Sequence, residues 1–193
     1  MDLSSDPIAI IGNAFRLPGG IASEDSLWEA FLQHDTSCMT HAPSSRMKFD
    51  FPRESIHCDP ASFLVGGWLG SNGVEEFDAS FFGFSPGEAE TLRPNSRLAL
   101  ELAWEALENA GLPPSSLKGQ NISVTIAMGA EDGWDIRRFA EDGPAAFDHN
   151  WAQNSDPSAV AGLVSRFFDF RGASVTVSGA CASGALAMDT GGC

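Results

Sequence analysis

A short β-branched run that ends in a cluster of small residues around a cysteine constrains this chain more than any other feature. Ser174-Val175-Thr176-Val177-Ser178 reads as a strand, Gly179-Ala180-Cys181-Ala182-Ser183-Gly184 as a tight turn, and residues 182–189 (ASGALAMD) as a helical stretch. Small residues at 179, 180 and 182 let the backbone turn sharply with one side chain at the apex, and that side chain is Cys181. A cysteine there stands at a helix N-terminus, where partial positive charge favours the thiolate. Backbone N–H groups at such a turn can hold an oxyanion while a thioester is attacked. The arrangement follows the logic of a nucleophile elbow with Cys in place of Ser. The same pattern also fits a small buried hydrophobe, which is how most free cysteines behave. A nucleophilic cysteine wants a base or an imidazolium partner. The four histidines, His34, His41, His57 and His149, all precede Cys181 in loop-like stretches and read as solvated loop residues.

The remaining elements point to an α/β chain. Residues 7–12 (PIAIIG) form a wholly apolar run ending at Gly12, which predicts a buried strand. After a Leu17-Pro18-Gly19-Gly20 turn, Ser23 is placed to cap a helix with Leu27, Trp28, Phe31 and Leu32 on one face. Residues 34–62 have no clean period and read as loop, and the Phe63–Leu69 run can hold a short strand weakened by Gly66-Gly67. Ser85-Pro86-Gly87-Glu88 spells a capping box. A long helix over about 94–110 follows, with Leu98, Leu102, Ala103, Ala106, Leu107 and Ala110 at helical spacing and Gly111 at its end. Residues 121–128 alternate as a strand, and 158–168 read as a short helix. Between them, 131–158 is the least regular part and reads as an acidic surface insertion that uses Trp134, Phe139, Phe147 and Trp151 to pack. A metal site is not expected there, because its carboxylates lack calcium-loop spacing.

Charge and cysteine use exclude several function classes. With 11 basic and 26 acidic residues among 193, the formal net charge is −15, and there is no basic run. Nucleic-acid binding and a basic membrane-surface helix are therefore not expected. The longest apolar runs fall far short of a membrane span, and Met1 to Pro7 carries no positive n-region of a signal peptide. Cys38, Cys58, Cys181 and Cys193 show no zinc spacing, which suits a reducing, cytoplasmic setting without disulfides.

Six stretches, taken in order, resemble the N-terminal part of a β-ketoacyl synthase (ketosynthase) domain of polyketide synthases. Asp6-Pro7-Ile8-Ala9-Ile10-Ile11-Gly12 looks like that family's opening strand, and Arg16-Leu17-Pro18-Gly19-Gly20 with Leu27-Trp28 like its R-x-P-G-G turn and first helix. Phe77-Asp78-Ala79-Ser80-Phe81-Phe82-Gly83-Phe84-Ser85-Pro86 is similar to F-D-A-x-F-F-G-I-S-P, and Trp104-Glu105-Ala106-Leu107-Glu108-Asn109-Ala110-Gly111 to W-E-A-L-E-x-A-G. Phe168-Asp169-Phe170-Arg171-Gly172 looks like F-D-L-R-G, and Cys181 falls at the position of the family's nucleophile. Four places depart from the pattern, one of them Thr190-Gly191-Gly192-Cys193, where the family's helix would continue. Arg93-Pro94-Asn95-Ser96-Arg97 stands for D-P-Q-Q-R, Gly172-Ala173-Ser174 for G-P-S, and Ser178-Gly179-Ala180-Cys181-Ala182-Ser183-Gly184 for D-T-A-C-S-S-S. The small replacements keep the elbow sterically and change the hydrogen bonding expected to orient it.

The resemblance implies a thiolase-like α/β fold, of which residues 1–193 would be approximately the N-terminal half. It implies that Cys181 accepts an acyl group from a phosphopantetheine thioester for decarboxylative Claisen condensation, with no cofactor bound by the chain itself. The family's two histidines and its lysine lie well beyond the cysteine, so this chain is expected not to complete condensation alone. Half of such a fold would leave apolar surface and open strand edges. A homodimer, or pairing with a complete ketosynthase, is the implied assembly, and acyl carrier protein the implied partner. A surface at −15 should repel an acidic carrier, so any docking patch would be local or supplied from elsewhere. The alternatives are a non-catalytic module that pairs with a full synthase, and a cysteine acyl-thioester hydrolase. The Phe77–Phe84 cluster is expected to serve core and dimer packing and not a substrate pocket, and Trp104 to serve the core of its helix.

Overall fold

A computed structural model describes residues 8–43, 65–70, 74, 76–129, 134–147, 151 and 154–192. The chain divides into two compact units, residues 14–76 and residues 1–13 with 77–193.

In the unit of residues 14–76, Leu17 bridges back to Ile21 across a Pro18–Gly20 turn. Gly19 and Gly20 adopt φ of 84° and 75° there, a conformation that a side chain would strain. Helix α1 (Glu24–Leu32) begins with a reciprocal cap: the Ser26 N–H donates to Ser23 Oγ at 3.2 Å, and the Ser23 N–H to Ser26 Oγ at 3.1 Å. Trp28, Phe31 and Leu32, expected on one face, are all exposed. Strands β1 (Met39–His41) and β2 (Val65–Gly67) pair antiparallel, with Met39 opposite Gly67 and His41 opposite Val65. The loop expected over 34–62 is thus interrupted at β1. That strand has no apolar alternation of its own and forms because β2, more than twenty residues on, supplies its ladder. The rest of that stretch, from 44 to 62, lies outside the described residues.

The second unit carries α2 (Pro86–Thr91), α3 (Pro94–Asn109), α4 (Pro114–Leu117), β3 (Val124–Ala127), α5 (Trp134–Asp142), α6 (Ser158–Phe168), β4 (Ser174–Val177) and α7 (Ser183–Gly191). The expected capping box at Ser85 is present in full, and α3 stops where Gly111 takes φ 68°. Strands β3 and β4 run parallel, with Val124 beside Ser174 and Ala127 beside Val177. Helix α6 packs on both strands and against α3, and α7 packs on β3. Phe82, Leu92, Leu100, Leu163, Val164 and Phe168 form the buried core. Phe77 stacks on Phe82 at 5.1 Å, Phe82 meets Phe167 at 5.0 Å, and Trp104 stacks on Phe168 at 6.1 Å, so the aromatic cluster and Trp104 serve this core as expected. The fully buried residue of α3 is Leu100, which was not among the apolar positions read from the sequence. It shares its face with Ser96, Ala103 and Leu107, and the polar Ser96 at 3% exposure hid that stripe.

The opening strand expected over 7–12 does not form over the described residues 8–12, and Ile8, Ile10 and Ile11 are exposed. An apolar run becomes a strand only when a neighbour satisfies its backbone ladder. Here Asn13 gives its N–H to Asn109 Oδ1 at 3.0 Å instead. Within 131–158, α5 leads into a short 3₁₀ turn at Gly143–Ala146. Asp135 pairs with the buried Arg93 at the start of α3, Phe139 stacks on Phe147 at 5.5 Å, and Phe147 meets Trp151 edge-on at 4.7 Å. No helix among the described residues is long and apolar enough to cross a membrane.

Candidate active site

The elbow around Cys181 is built by the end of the β3–β4 pair. The ladder continues one residue past β3 through the Met128 N–H, which donates to the carbonyl of Val177, the last residue of β4, at 3.0 Å. The start of α6 is tied to the same strand by Thr176 Oγ1, which donates to the Pro157 carbonyl at 3.0 Å. Beyond Val177 the chain turns at once: Gly179 has φ −140° and ψ 36°, and Ala180 has φ 49°. The left-handed region costs a side-chain-bearing residue roughly 1–2 kcal/mol, so Ala180 holds a strained conformation that the rest of the turn must maintain. Ala180–Ala182 form a single 3₁₀ turn, closed by the Ala182 N–H donating to the Gly179 carbonyl at 3.0 Å, and α7 begins at Ser183. Cys181 sits in that turn as an exposed free thiol, so the buried-hydrophobe reading of its pattern does not describe it.

One hydroxyl organises this turn. Ser183 is 6% exposed. Its Oγ accepts from the Gly179 N–H at 2.9 Å and lies 2.7 Å from the Ala180 carbonyl and 3.3 Å from the Met128 carbonyl. The sequence offered one signal for this role: Ser183 is the single serine left at 182–184, where Ala182 and Gly184 flank it.

The histidines are not gathered here. His34 and His41 belong to the unit of residues 14–76, His57 and His149 lie outside the described residues, and the described residues of the Cys181 unit include no histidine. No group of three or more metal-ligating side chains occurs among the described residues. An open apolar groove of about 330 Å³ runs beside β3, lined by Ile11, Ala103, Leu107, Ile126, Val164 and Phe170 among others.

The family model for "Beta-ketoacyl synthase, N-terminal domain" matches residues 5–191. The chain belongs to the β-ketoacyl synthase family. Its curated relatives include hispidin synthase of Neonothopanus nambi, 37% identical over 94% of this chain and 10% of that protein. They also include 6-methylsalicylic acid synthase of Penicillium terrestre, 37% identical over 95% of this chain and 10% of that protein. The spectinabilin polyketide synthase system protein NorA' of Streptomyces orinoci is 38% identical over 95% of this chain and 5% of its own length. This ketosynthase chain thus spans a tenth or less of these relatives. Among solved structures, the ketosynthase from module 6 of the bacillaene synthase of Bacillus subtilis 168 superposes with a TM-score of 0.71 at 23% identity, covering 96% of this chain and 28% of that one. The oxazolomycin ketosynthase domain OzmH KS7 of Streptomyces albus JA3453 gives the same TM-score at 27% identity, over 96% of this chain and 32% of that one. The fold is therefore thiolase-like α/β, and the chain corresponds to the N-terminal part of a ketosynthase domain of polyketide synthase type.

Proposed function

We propose that this ketosynthase chain accepts an acyl group on Cys181 from a phosphopantetheine thioester, as the acyl-receiving part of a polyketide-type condensing enzyme. The exposed thiol at the apex of the β4–α7 elbow carries this reading. The sulfur attacks the thioester carbonyl, forming a carbon–sulfur bond to Cys181. The tetrahedral oxyanion collapses and breaks the bond to the pantetheine sulfur. The Cys181 proton leaves with the pantetheine thiol, so the step is an exchange of one thioester for another. The start of α7 supplies the partial positive charge suited to the thiolate and to the oxyanion.

Decarboxylation of a malonyl-type extender needs donors on the developing enolate oxygen. The described part of the Cys181 unit provides no histidine for this, so the condensing half-reaction draws its donors from outside these residues. Acyl carrier protein is the partner this reading calls for. A homodimer or a pairing with a complete ketosynthase is the assembly, because Trp28, Phe31 and Leu32 of α1, and Ile8 and Ile10 near the N-terminus, leave apolar surface uncovered.

A single-turnover assay with an acyl-coenzyme A tests the first step. About one equivalent of coenzyme A thiol per chain should appear in a burst, and none with Cys181→Ala. Continuous release lost in Cys181→Ala would instead mark a thioester hydrolase. A folded wild-type chain with no burst would leave a non-catalytic pairing module as the better reading.

A further inference from the structure

The hydroxyl of Ser183 joins both flanks of Cys181. Its oxygen accepts from the Gly179 N–H, two residues before the cysteine, while Ser183 itself stands two residues after it. A hydroxyl has a single proton to give. The nearer acceptor is the Ala180 carbonyl at 2.7 Å, and the Met128 carbonyl at 3.3 Å, just beyond β3, is the alternative. The side chain is nearly fully buried and lies between Ala182 and Gly184, which have no polar side chain to take its place.

From this geometry we infer that Ser183 is a positioning residue for the Cys181 thiol, an assignment that rests on the acyl-acceptor reading above. Ala180 holds an unfavourable positive φ, and Ser183 spans it, accepting from the N–H of the Ser178–Gly179 peptide on one side and engaging the carbonyl of the Ala180–Cys181 peptide on the other. Without the hydroxyl, the Gly179 N–H loses its acceptor and the Ala180 carbonyl keeps only the Ser183 N–H, so the turn loosens on the Gly179 side and the apex rotates. The sulfur stays nucleophilic and loses its alignment with a bound thioester carbonyl. Ser183 is nearly buried, so its loss is expected to act on the rate of acyl transfer and not on thioester binding.

The test uses the full 193-residue chain and its Ser183→Ala variant, with an acyl N-acetylcysteamine thioester as probe. Three quantities are measured: the saturating rate of Cys181 acylation with its half-saturation concentration, the rate of alkylation by iodoacetamide, and amide exchange at Gly179. In the wild type, the Gly179 amide should exchange slowly although it lies in a turn. In Ser183→Ala that protection should vanish. The saturating acylation rate should fall by about tenfold or more, as small misalignments of reacting groups do. Half-saturation should stay within about twofold, the mark of an interaction acting on the chemical step alone. Alkylation, which requires no oriented carbonyl, should also stay within about twofold. Fast exchange of the wild-type Gly179 amide overturns the inference even where the variant fails to fold, and so does a Ser183→Ala chain acylated at the wild-type rate. A wild-type chain that takes no acyl group contradicts the acyl-acceptor reading, whereas equal acylation of wild type and variant contradicts the role of Ser183 alone.

Discussion

Gly172 runs directly against the backbone of Ile122: a Cβ at residue 172 would stand 2.5 Å from the Ile122 carbonyl carbon and oxygen and 2.6 Å from the Ser123 nitrogen. The Gly172 N–H donates to that same Ile122 carbonyl at 3.0 Å, and the Val124 N–H donates to the Ala173 carbonyl at 2.7 Å. This close approach sets the register in which β4 enters beside β3, and thereby where the elbow emerges. Gly172→Ala must push the two strands apart at their start. Overpacking of this kind costs about 1–3 kcal/mol, so the substitution should lower the unfolding midpoint in urea by a corresponding amount, with the slope of the transition unchanged.

Helix α5 is held to the start of α3 by the ion pair between Asp135 and Arg93, whose side chains are 24% and 5% exposed. Asp135→Ala removes a charged hydrogen-bond acceptor from a guanidinium that remains buried. The expected loss is about 1–3 kcal/mol. It should be local: hydrogen exchange should quicken over Trp134–Asp142 while the amides of α6 keep their protection. Equal quickening in both helices would contradict the clamp.

Stability should depend on pH through the cap of α2. Glu88 accepts from the Ser85 hydroxyl at 2.7 Å and from the Ser85 N–H at 2.9 Å, and these bonds hold its carboxyl below the ordinary glutamate value. A folded value below the unfolded one means that the contribution is complete above the unfolded value, about 4.3. It is lost as the pH falls through the lowered value of the folded chain. The difference in thermal midpoint between wild type and Ser85→Ala should therefore be greatest near neutrality and narrow as the medium is acidified. A difference that stays constant with pH would show that the Glu88 carboxylate adds nothing to the cap.

The sequence made legible those elements whose signals are local. Ser23 and Ser85 stand at helix starts, Gly111 ends α3, and Val175 and Val177 lie in β4 next to a turn of small residues. Where an element depends on something distant, the pattern was insufficient. Ile8, Ile10 and Ile11 have the composition of a strand and lack its ladder, and β1 has a ladder without the composition. Leu100 was overlooked because its stripe passes through Ser96, a polar residue buried by packing that sequence spacing does not report. At the site, the small residues pointed to an exposed apex at Cys181, which the structure has. The brace was harder to see, because it rests on the burial of the Ser183 hydroxyl and its bond from the Gly179 N–H, which spacing does not report.

The central claim is that Cys181 receives the acyl group, and peptide mapping by mass spectrometry after brief exposure to an acyl thioester tests it most directly. The chain offers four cysteines, Cys38, Cys58, Cys181 and Cys193, so the experiment contains its own comparison. The account expects the acyl mass on the peptide holding Cys181 well before it appears on the other three, and its disappearance in Cys181→Ala. Acylation spread evenly over the four cysteines, or a folded chain with Cys181 unmodified, would contradict it.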